Sequence, residues 1–291
     1  RAAFGTRRSA VQVRPPRLSQ YGKADESLPS FSLPFFLVMT RSWAEVDILT
    51  NPFLSIIIPA HNEAQRLPPS LKKIDTFLRQ QSYTSEVLVV ENGSSDDTLS
   101  VARSFLDEMP NLRVCSEAAR GKGLAVKRGM LEARGAHRFL CDADLSMPIE
   151  QVNRFLLENT PSCDVVIGSR EVPGARRYDE PAYRHLIGRI FNTMVRWLVL
   201  PGLQDTQCGF KCFTAKVAEA VFPLQTLNGM SFDAEVLFIA RKQGFKVQEI
   251  PIDWFFNPDS RVRLVQDSLR MGFDLLTIRW NALRGRYDAK A

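Results

Sequence analysis

A strand-like segment followed by a helix-like segment recurs four times between residues 53 and 170, and this alternation strongly constrains the fold. Runs rich in β-branched residues predict buried strands, and apolar residues spaced three and four apart predict helices. The predicted strands cover residues 53–60, 85–94, 112–117, 137–144 and 163–170, and the predicted helices cover 67–81, 96–109, 122–133 and 149–158. Short connections between such units predict an α/β fold with a mostly parallel, doubly wound sheet and helices on both faces.

The charge of the chain argues against a nucleic acid as its partner. The formal net charge is +6 over 291 residues, and residues 1–38 hold +4 of it, from six Lys or Arg against two acids. Only +2 is left for the rest of the chain, whereas nucleic-acid-binding domains concentrate positive charge. The hydrophobic fraction of 45% is typical of a soluble protein with a good core, and no run of 18 apolar residues predicts a membrane-spanning helix.

Residues 1–38 differ from the rest in composition. They are rich in Arg, Ser and Pro and show no sustained periodicity, so we expect a disordered N-terminal extension. The stretch "RRSAVQVRPPR" further suggests that this extension is not native coding sequence, in which case Met39 is a natural start. The five cysteines are scattered, and we expect reduced thiols in a cytoplasmic protein.

Polar clusters follow four of the predicted strands. They are "PAHNE" (59–63), "ENGSSDD" (91–97), "DADLS" (142–146) and "GSR" (168–170). Ligands of parallel sheets bind at the carboxyl ends of the strands, which is where these clusters lie. The coincidence predicts a binding site at this edge of the sheet.

Asp142 and Asp144 follow a buried strand and are one residue apart. Two carboxylates that point the same way repel each other, and without a partner one of them would bind a proton. A divalent cation removes the conflict, and oxygen ligands suit Mg²⁺ or Mn²⁺, which keep open positions for phosphate oxygens. The alternative is a helix-capping pair of solvated carboxylates.

Two further clusters suit parts of a nucleotide. The carboxylates of "ENGSSDDT" could accept hydrogen bonds from a base or ribose, although the same residues also form a turn and a helix cap. Gly121, Lys122 and Gly123 precede a predicted helix, where backbone N–H groups and a lysine suit an anion. The spacing is not that of a P-loop.

In this order, the motifs resemble those of the family 2 glycosyltransferases of GT-A fold. The residues that carry the resemblance are "SIIIPAHNEAQRL", "VLVVENGSSDDT", "RGKGLAVKRGM", "LCDADLSMP", "VIGSR" and "DTQCGFKCF". "DADLS" followed by "DTQCGFK" is most similar to the dolichyl-phosphate β-glucosyltransferase branch, with polyprenyl-phosphate mannosyltransferases as near relatives. The resemblance implies a GT-A catalytic domain over 39–258 and a basic, amphipathic helical segment over 259–291.

The resemblance also implies roles for individual residues. The nucleotide sugar would be bound by Pro59, Ala60, Glu63, Glu91, Asn92, Asp96, Lys122, Asp142, Ala143 and Asp144. A metal ion would be held by Asp142, Asp144 and Ser146, and the acceptor phosphate by Arg170, Arg184 and Gln207. The catalytic residues would be Asp142, Asp144, Arg170 and Asp205.

The expected reaction is the inverting transfer of a hexose, glucose from UDP-glucose, to a polyprenyl or dolichyl phosphate. Such an acceptor is already anionic and needs no strong general base, so catalysis would depend on positioning and on stabilisation of the departing diphosphate. A sugar hydroxyl acceptor would need a base, for which Asp205, Asp233 and Glu235 are candidates.

A polyprenyl phosphate acceptor requires contact with a membrane. Residues 183–203 and 261–287 mix aliphatic and aromatic residues with Arg, as interfacial helices do, although a helix packed in the core with a solvated basic face has the same pattern. We therefore expect a cytoplasmic protein, bound peripherally to the inner face of a membrane.

Other functions fit parts of the pattern. The same donor site could serve a soluble or cell-envelope glycan as acceptor, or GDP-mannose as donor. A nucleotide-sugar-binding membrane scaffold without catalysis would not need the Asp142 and Asp144 pair. A nucleotidyltransferase is the weakest alternative, because no Gly-rich loop directly follows the first strand.

Overall fold

The computed structural model of the chain describes residues 51–156, 163–258 and 264–288. The expected N-terminal extension, residues 1–38, lies outside the described residues, as do residues 39–50. All five cysteines are free thiols.

The described part of the chain contains a seven-stranded sheet in the order β3-β2-β1-β4-β7-β5-β8 and a two-stranded sheet of β6 and β9. Its strands are β1 Leu54–Ala60, β2 Ser85–Asn92, β3 Leu112–Glu117, β4 His137–Leu140, β5 Val165–Ser169, β6 Arg176–Tyr178, β7 Lys211–Thr214, β8 Val247–Pro251 and β9 Asp253–Phe255. Its α-helices are α1 Leu67–Leu78, α2 Thr98–Ser104, α3 Lys122–Glu132, α4 Ala182–Leu198, α5 Ala215–Val221, α6 Phe232–Lys242 and α7 Leu264–Leu283. Two 3₁₀ helices cover Ile149–Arg154 and Phe222–Leu224.

The sheet is buried on both faces, as a mostly parallel sheet requires. All seven residues of β1 are buried, with Ile56 on one face and Ile57 on the other. The first face packs against α1, α2 and the Ile149–Arg154 helix, and the second against α3 to α7. The predicted α/β architecture is therefore confirmed.

One strand of the large sheet runs against the others. β7 pairs antiparallel with β4 on one side and with β5 on the other. Three of its four residues belong to "DTQCGFKCF", where the sequence pattern predicted no strand. The remaining neighbours in this sheet pair in parallel.

Two predicted helices are shorter than the periodicity indicated. The helix expected over 96–109 covers only Thr98–Ser104. Asp96 and Asp97 precede it, where Asp96 Oδ1 accepts from the Thr98 N–H at 3.0 Å, and residues 105–108 form turns. The helix expected over 149–158 is a 3₁₀ helix over Ile149–Arg154, and residues 157–162 lie outside the described residues.

Helix α7 belongs to the main core and also exposes an apolar face. Leu275 and Ile278 are fully buried with the second face of the sheet, and α7 packs against α4. Phe273, Trp280 and Leu283 are exposed. Among the described helices, none has both the length and the hydropathy needed to cross a bilayer.

Candidate active site

A pocket of about 1240 Å³ lies at the carboxyl ends of β1, β2, β4 and β5. Most of the predicted site residues line it: Pro59, Glu63, Asn92, Lys122, Asp142, Ala143, Asp144, Ser146, Arg170, Arg184 and Gln207. Ala60, Glu91, Asp96 and Asp205 are not among its lining residues. The sequence clusters at the strand ends are thus brought together in one cavity.

The two aspartates lie in the loop that follows β4. Asp144 Oδ1 accepts from the Ser146 N–H at 3.0 Å, and Asp142 Oδ1 lies 2.7 Å from Lys122 Nζ. Asp142 also packs directly on the backbone of Gly209, where an added Cβ would lie 1.9 Å from Asp142 Oδ2. Glycine at position 209 is therefore required for the position of this carboxylate.

The electrostatic surroundings keep Asp142 ionised. Burial alone would raise the pKa of Asp142, but Lys122, together with Lys211 and Arg170, outweighs burial, and the pKa lies below its usual range. Burial likewise opposes the charge of Lys122, whose pKa is nevertheless raised by Asp142. The site holds an anionic carboxylate before any ligand arrives.

A second ion pair is buried nearby. Lys211 Nζ lies 2.6 Å from Asp233 Oδ1, and Lys211 also donates to the Cys208 carbonyl. Burial raises the pKa of Asp233, although Lys211 opposes this shift. Neither residue lines the pocket, so we assign the pair to the support of the site.

The pocket suits a divalent cation that takes some of its ligands from the protein and the others from the substrate. In the described part of the chain, no group of three or more His, Cys, Asp or Glu side chains could hold a metal by itself. Mg²⁺ and Mn²⁺ do not need such a cage, since they bind through one or two carboxylates and complete their coordination with water and phosphate oxygens. Asp142, Asp144 and Ser146 line the pocket, and their side-chain oxygens are the groups that could hold such an ion.

The acids of the predicted nucleoside side divide into two groups. Glu63 lines the pocket, and its carboxylate pairs with Arg66 at 2.6 Å. Glu91 instead accepts from the Ser94 N–H at 2.5 Å, and Asp96 accepts from the backbone of residues 64 and 98. Glu91 and Asp96 therefore hold the loops that shape the pocket, and a direct contact of either with the nucleoside stays a prediction.

The predicted acceptor side is built around Arg170. Its Nε and Nη2 atoms donate to Asp205 Oδ2 and Oδ1 at 2.7 and 2.9 Å, and its backbone N–H donates to Oδ2 at 3.0 Å. The guanidinium also lies 5.3 Å from the centroid of the Trp254 ring. Asp205 is fully buried and fixes Arg170, which faces the pocket. This geometry assigns Asp205 to the positioning of Arg170.

The Asp205–Arg170 pair predicts a specific loss of stability in acid. Burial raises the pKa of Asp205, but the Arg170 guanidinium outweighs it and lowers the pKa to about 2. Because the pKa is lower in the folded state, the pair stabilises the protein above the unfolded pKa near 4 and loses this effect as the pH falls to 2. The expected contribution at pH 7 is about 2 kcal/mol, at ~1.4 kcal/mol per pKa unit.

Urea unfolding of wild type and Asp205→Asn between pH 7 and pH 2 measures this contribution. The difference in the free energy of unfolding should shrink by about 2 kcal/mol as the pH falls. Asp107→Asn removes an exposed carboxylate and serves as the control. A difference between wild type and Asp205→Asn that does not change with pH would contradict the prediction.

Several pocket residues were missed by the sequence reasoning. Trp254 lies in β9 and Phe256 directly follows this strand, and the Arg184 guanidinium lies 5.1 Å from the centroid of the Phe256 ring. Arg270 and Asp274 reach the pocket from α7. The aromatic stretch "DWFF" could have indicated Trp254 and Phe256 from the sequence. Arg270 and Asp274 could be found only from the packing of α7.

Comparison with known proteins identifies the family of the chain. The profile of glycosyl transferase family 2 matches residues 55–222. The chain is 32% identical over 257 residues to a dolichyl-phosphate beta-glucosyltransferase of Dictyostelium discoideum, covering 84% of this chain and 79% of that protein. A dolichyl-phosphate beta-glucosyltransferase of Homo sapiens is 32% identical over 249 residues, with 80% and 77% covered.

Solved structures of low sequence identity share the fold. Mannosyl-3-phosphoglycerate synthase from Rubrobacter xylanophilus has a TM-score of 0.59 at 19% identity, with 81% of this chain and 76% of that chain covered. Glucosyl-3-phosphoglycerate synthase from Mycobacterium tuberculosis, in complex with Mn²⁺, uridine-diphosphate and phosphoglyceric acid, has a TM-score of 0.56 at 16% identity, with 91% and 86% covered.

The mostly parallel sheet, the flanking helices and these neighbours define the fold as that of the GT-A glycosyltransferases. The profile match covers more than half of the chain, and the sequence relatives cover most of it. The chain belongs to glycosyl transferase family 2. The enzyme is a hexosyltransferase.

Proposed function

We propose that this enzyme transfers glucose from UDP-glucose to dolichyl or another polyprenyl phosphate, with inversion at the anomeric carbon. The curated relatives named dolichyl-phosphate beta-glucosyltransferase support the sugar and the acceptor. A neighbouring structure that contains uridine-diphosphate-glucose and Mn²⁺, at a TM-score of 0.54, supports the donor by analogy of fold. Among the observations on this chain, the acceptor side of the pocket carries the proposal.

That side presents cations to the acceptor. Arg170 and Arg184 line the same pocket as Asp142 and Asp144, and each guanidinium lies over an aromatic ring. Guanidinium N–H groups form charge-assisted hydrogen bonds to phosphate oxygens, so these arginines suit a phosphate nucleophile. Asp205 keeps Arg170 in place through two side-chain hydrogen bonds, which lowers the cost of ordering it when the acceptor binds.

The three carboxylates predicted as candidate bases for a sugar hydroxyl are engaged elsewhere. Asp205 is paired with Arg170, and Asp233 with Lys211. Glu235 is fully buried and accepts from the Leu227 N–H at 2.8 Å and the Tyr287 hydroxyl at 2.7 Å. None of these three lines the pocket. A phosphate acceptor needs no base, which favours it over a glycan hydroxyl.

On the donor side, the chain's own residues bind and orient the diphosphate. Asp142 and Asp144 would hold a divalent ion, Mg²⁺ or Mn²⁺, which neutralises charge on the departing diphosphate when it is bound. Lys122, at the first position of α3, places an ammonium group and the start of a helix beside the same carboxylates. Pro59, Glu63 and Asn92 line the remaining donor side, where we place the nucleoside.

A thermal-shift screen with UDP-glucose, GDP-mannose and other nucleotide sugars, each with Mg²⁺ or Mn²⁺, tests the donor. A ligand at 100 times its dissociation constant stabilises the folded state by about 2.7 kcal/mol, which gives a clear shift. We expect the largest shift with UDP-glucose and a divalent ion. A larger shift with GDP-mannose would identify GDP-mannose as the donor instead. The absence of a shift with every nucleotide sugar would refute the donor site.

Transfer assays separate the acceptors. Radiolabelled glucose should pass from UDP-glucose to dolichyl phosphate and produce a lipid-linked, mild-acid-labile product. Transfer only to a soluble glycan would support the alternative acceptor. Binding of the donor without turnover on either acceptor would instead support a nucleotide-sugar-binding scaffold.

The described surface also favours peripheral attachment to a membrane, which we propose to be the cytoplasmic face. Tyr183, Leu186, Ile190 and Trp197 are exposed on one side of α4, at the spacing of a helix face. Exposed apolar residues of α7, among them Phe273 and Leu276, lie on the helix that packs against α4. Exposed apolar residues concentrated on two neighbouring helices indicate an interaction site.

Removal of the most exposed of these side chains should weaken attachment. Trp197 is 85% exposed, so Trp197→Ala should change the fold little. Because burial of a large apolar side chain is worth about 1.5–3 kcal/mol, we expect partitioning to phosphatidylcholine vesicles to fall by about 10–100-fold. Leu106→Ala, an exposed apolar residue in the layer of α1 and α2, is the control in the same flotation assay. Equal partitioning of the two variants would contradict attachment through α4.

A further inference from the structure

A second cavity lies away from the candidate active site, between the end of α4, α6 and α7. Its volume is about 460 Å³, and it shares no lining residue with the larger pocket. Leu200, Phe238, Ala282 and Leu283 form apolar walls. The cavity is large enough for part of an acyl chain and a headgroup, and nothing in the proposed transfer reaction uses it.

The rim of this cavity is positively charged. Arg241, Lys242 and Arg279 line it. Arg241 Nη1 donates to the Pro201 carbonyl at 2.6 Å, which fixes the guanidinium at the rim, and Lys242 pairs with Asp288 at 2.7 Å. Arg279 is exposed, and within the described part of the chain it has no ion-pair partner. An occupant that complements this site has an apolar part and an anionic part.

The cavity opens beside the apolar surface that we propose to face the membrane. Leu283 belongs to both, since it lines the cavity and is 79% exposed. Trp280, one turn earlier on α7, is also exposed, and the Arg284 guanidinium lies 4.5 Å from its ring centroid. Aromatic and arginine side chains of this kind are typical of the interface between lipid headgroups and acyl chains.

Helix α7 connects the cavity to the active site. Arg270, Met271 and Asp274 line the larger pocket, whereas Arg279, Ala282 and Leu283 line the smaller one. At 1.5 Å per residue, Met271 and Ala282 are about 16 Å apart along the helix axis. Two amphiphilic molecules of one membrane leaflet could therefore occupy the two pockets at the same time.

We propose that this cavity binds an anionic phospholipid of the bilayer, with its phosphate on Arg279 and Lys242 and its acyl chain against Phe238 and Ala282. The proposal rests on the proposed membrane attachment. The bound lipid anchors the end of α7 opposite to the acceptor pocket and so orients the mouth of that pocket towards the leaflet. The site is distinct from the one proposed for the acceptor phosphate.

The first test is vesicle flotation with Arg279→Gln, which removes one exposed charge. A basic residue near an anionic surface contributes ~1 kcal/mol, so binding to phosphatidylcholine vesicles with 30% phosphatidylglycerol should weaken about fivefold. Binding to pure phosphatidylcholine should not change. Lys73→Gln removes an exposed charge from α1, in the layer on the other face of the sheet, and should leave both values as in wild type. An equal effect of the two variants would overturn the proposal.

The second test separates a lipid site from a site for free phosphate and from general surface charge. Dihexanoyl-phosphatidylglycerol below its critical micelle concentration should raise the Tm of the wild type in a saturable manner. Arg279→Gln and Ala282→Trp, which fills the cavity, should abolish this rise. A similar rise with inorganic phosphate, or with dihexanoyl-phosphatidylcholine, would overturn the assignment to an anionic phospholipid.

The third measurement distinguishes failure of this proposal from failure of the proposed function. Transfer of glucose to a short-chain, water-soluble polyprenyl phosphate should be equal in wild type and Arg279→Gln, because Arg279 does not line the catalytic pocket. Loss of transfer in Arg279→Gln would refute the separation of the two sites. Normal transfer without any Tm rise on phosphatidylglycerol would refute the lipid site and leave the enzyme assignment intact.

Discussion

Asp144→Asn is expected to lower kcat by about 10²–10³-fold while the fold is retained. An asparagine keeps the Oδ1 atom that accepts from the Ser146 N–H, so the loop after β4 should hold its shape. What is lost is one negative charge of the pair that we propose to face the diphosphate. Loss of one group that stabilises developing charge costs factors of this size in other enzymes. Steady-state kinetics with UDP-glucose and dolichyl phosphate measure the loss of kcat, and the Tm shows whether the fold is retained.

The role of Asp144 in metal binding has a readout that does not depend on turnover. Mn²⁺ titration followed by electron paramagnetic resonance should show weaker binding in Asp144→Asn than in wild type. Asp97→Asn, an exposed aspartate in the turn before α2, is the matched control. If Asp144→Asn kept the wild-type kcat in the presence of a chelator, the proposed role of a metal ion in catalysis would be contradicted.

Gly209→Ala is expected to weaken Mn²⁺ binding by about 10–100-fold, although residue 209 supplies no ligand. The added Cβ would lie 1.9 Å from Asp142 Oδ2 and 2.4 Å from Asp142 Cγ, far inside contact distance. The short side chain of Asp142 has to rotate away, and this rotation also breaks its 2.7 Å contact with Lys122. Changes in groups that orient metal ligands typically cost such factors in metal affinity or activity.

A glycine in open surroundings provides the control for Gly209→Ala. Gly272 lies in α7, where an added Cβ would meet only Met194 Cε at an ordinary 3.6 Å. Gly272→Ala should therefore leave Mn²⁺ binding unchanged and raise helix stability by up to about 1 kcal/mol. Wild-type Mn²⁺ affinity in Gly209→Ala would show that the position of Asp142 does not matter for the ion.

The sequence pattern predicted the parts of the fold that depend on local periodicity. The sequence shows the mostly apolar run of residues 54–60 and the helical spacing of Leu67, Leu71 and Ile74. The structure confirms a buried strand and a helix at these positions. The antiparallel β7 was not predicted, because its four residues are too few for a period and its pairing with β4 and β5 depends on distant chain segments.

In the candidate site too, local sequence predicted some residues, whereas others are brought in only by tertiary packing. Residues that directly follow a strand, such as Asp142, Asp144 and Arg170, could be located because parallel strands end at one edge of the sheet. The state of Asp205 could not be predicted, since its complete burial and its pairing with Arg170 arise only when residues 170 and 205 meet in space. Arg270 and Asp274 enter the pocket only through the packing of α7.

The segment from Asp205 to Lys211 links the two halves of the active site. At one end Asp205 holds Arg170, and two residues before the other end Gly209 supports Asp142. Lys211 then anchors the segment in the interior through Asp233. Under the proposed function, this short segment sets the distance between the acceptor oxygen and the anomeric carbon. Inserting or deleting a single residue within it should therefore lower kcat even when both substrates still bind.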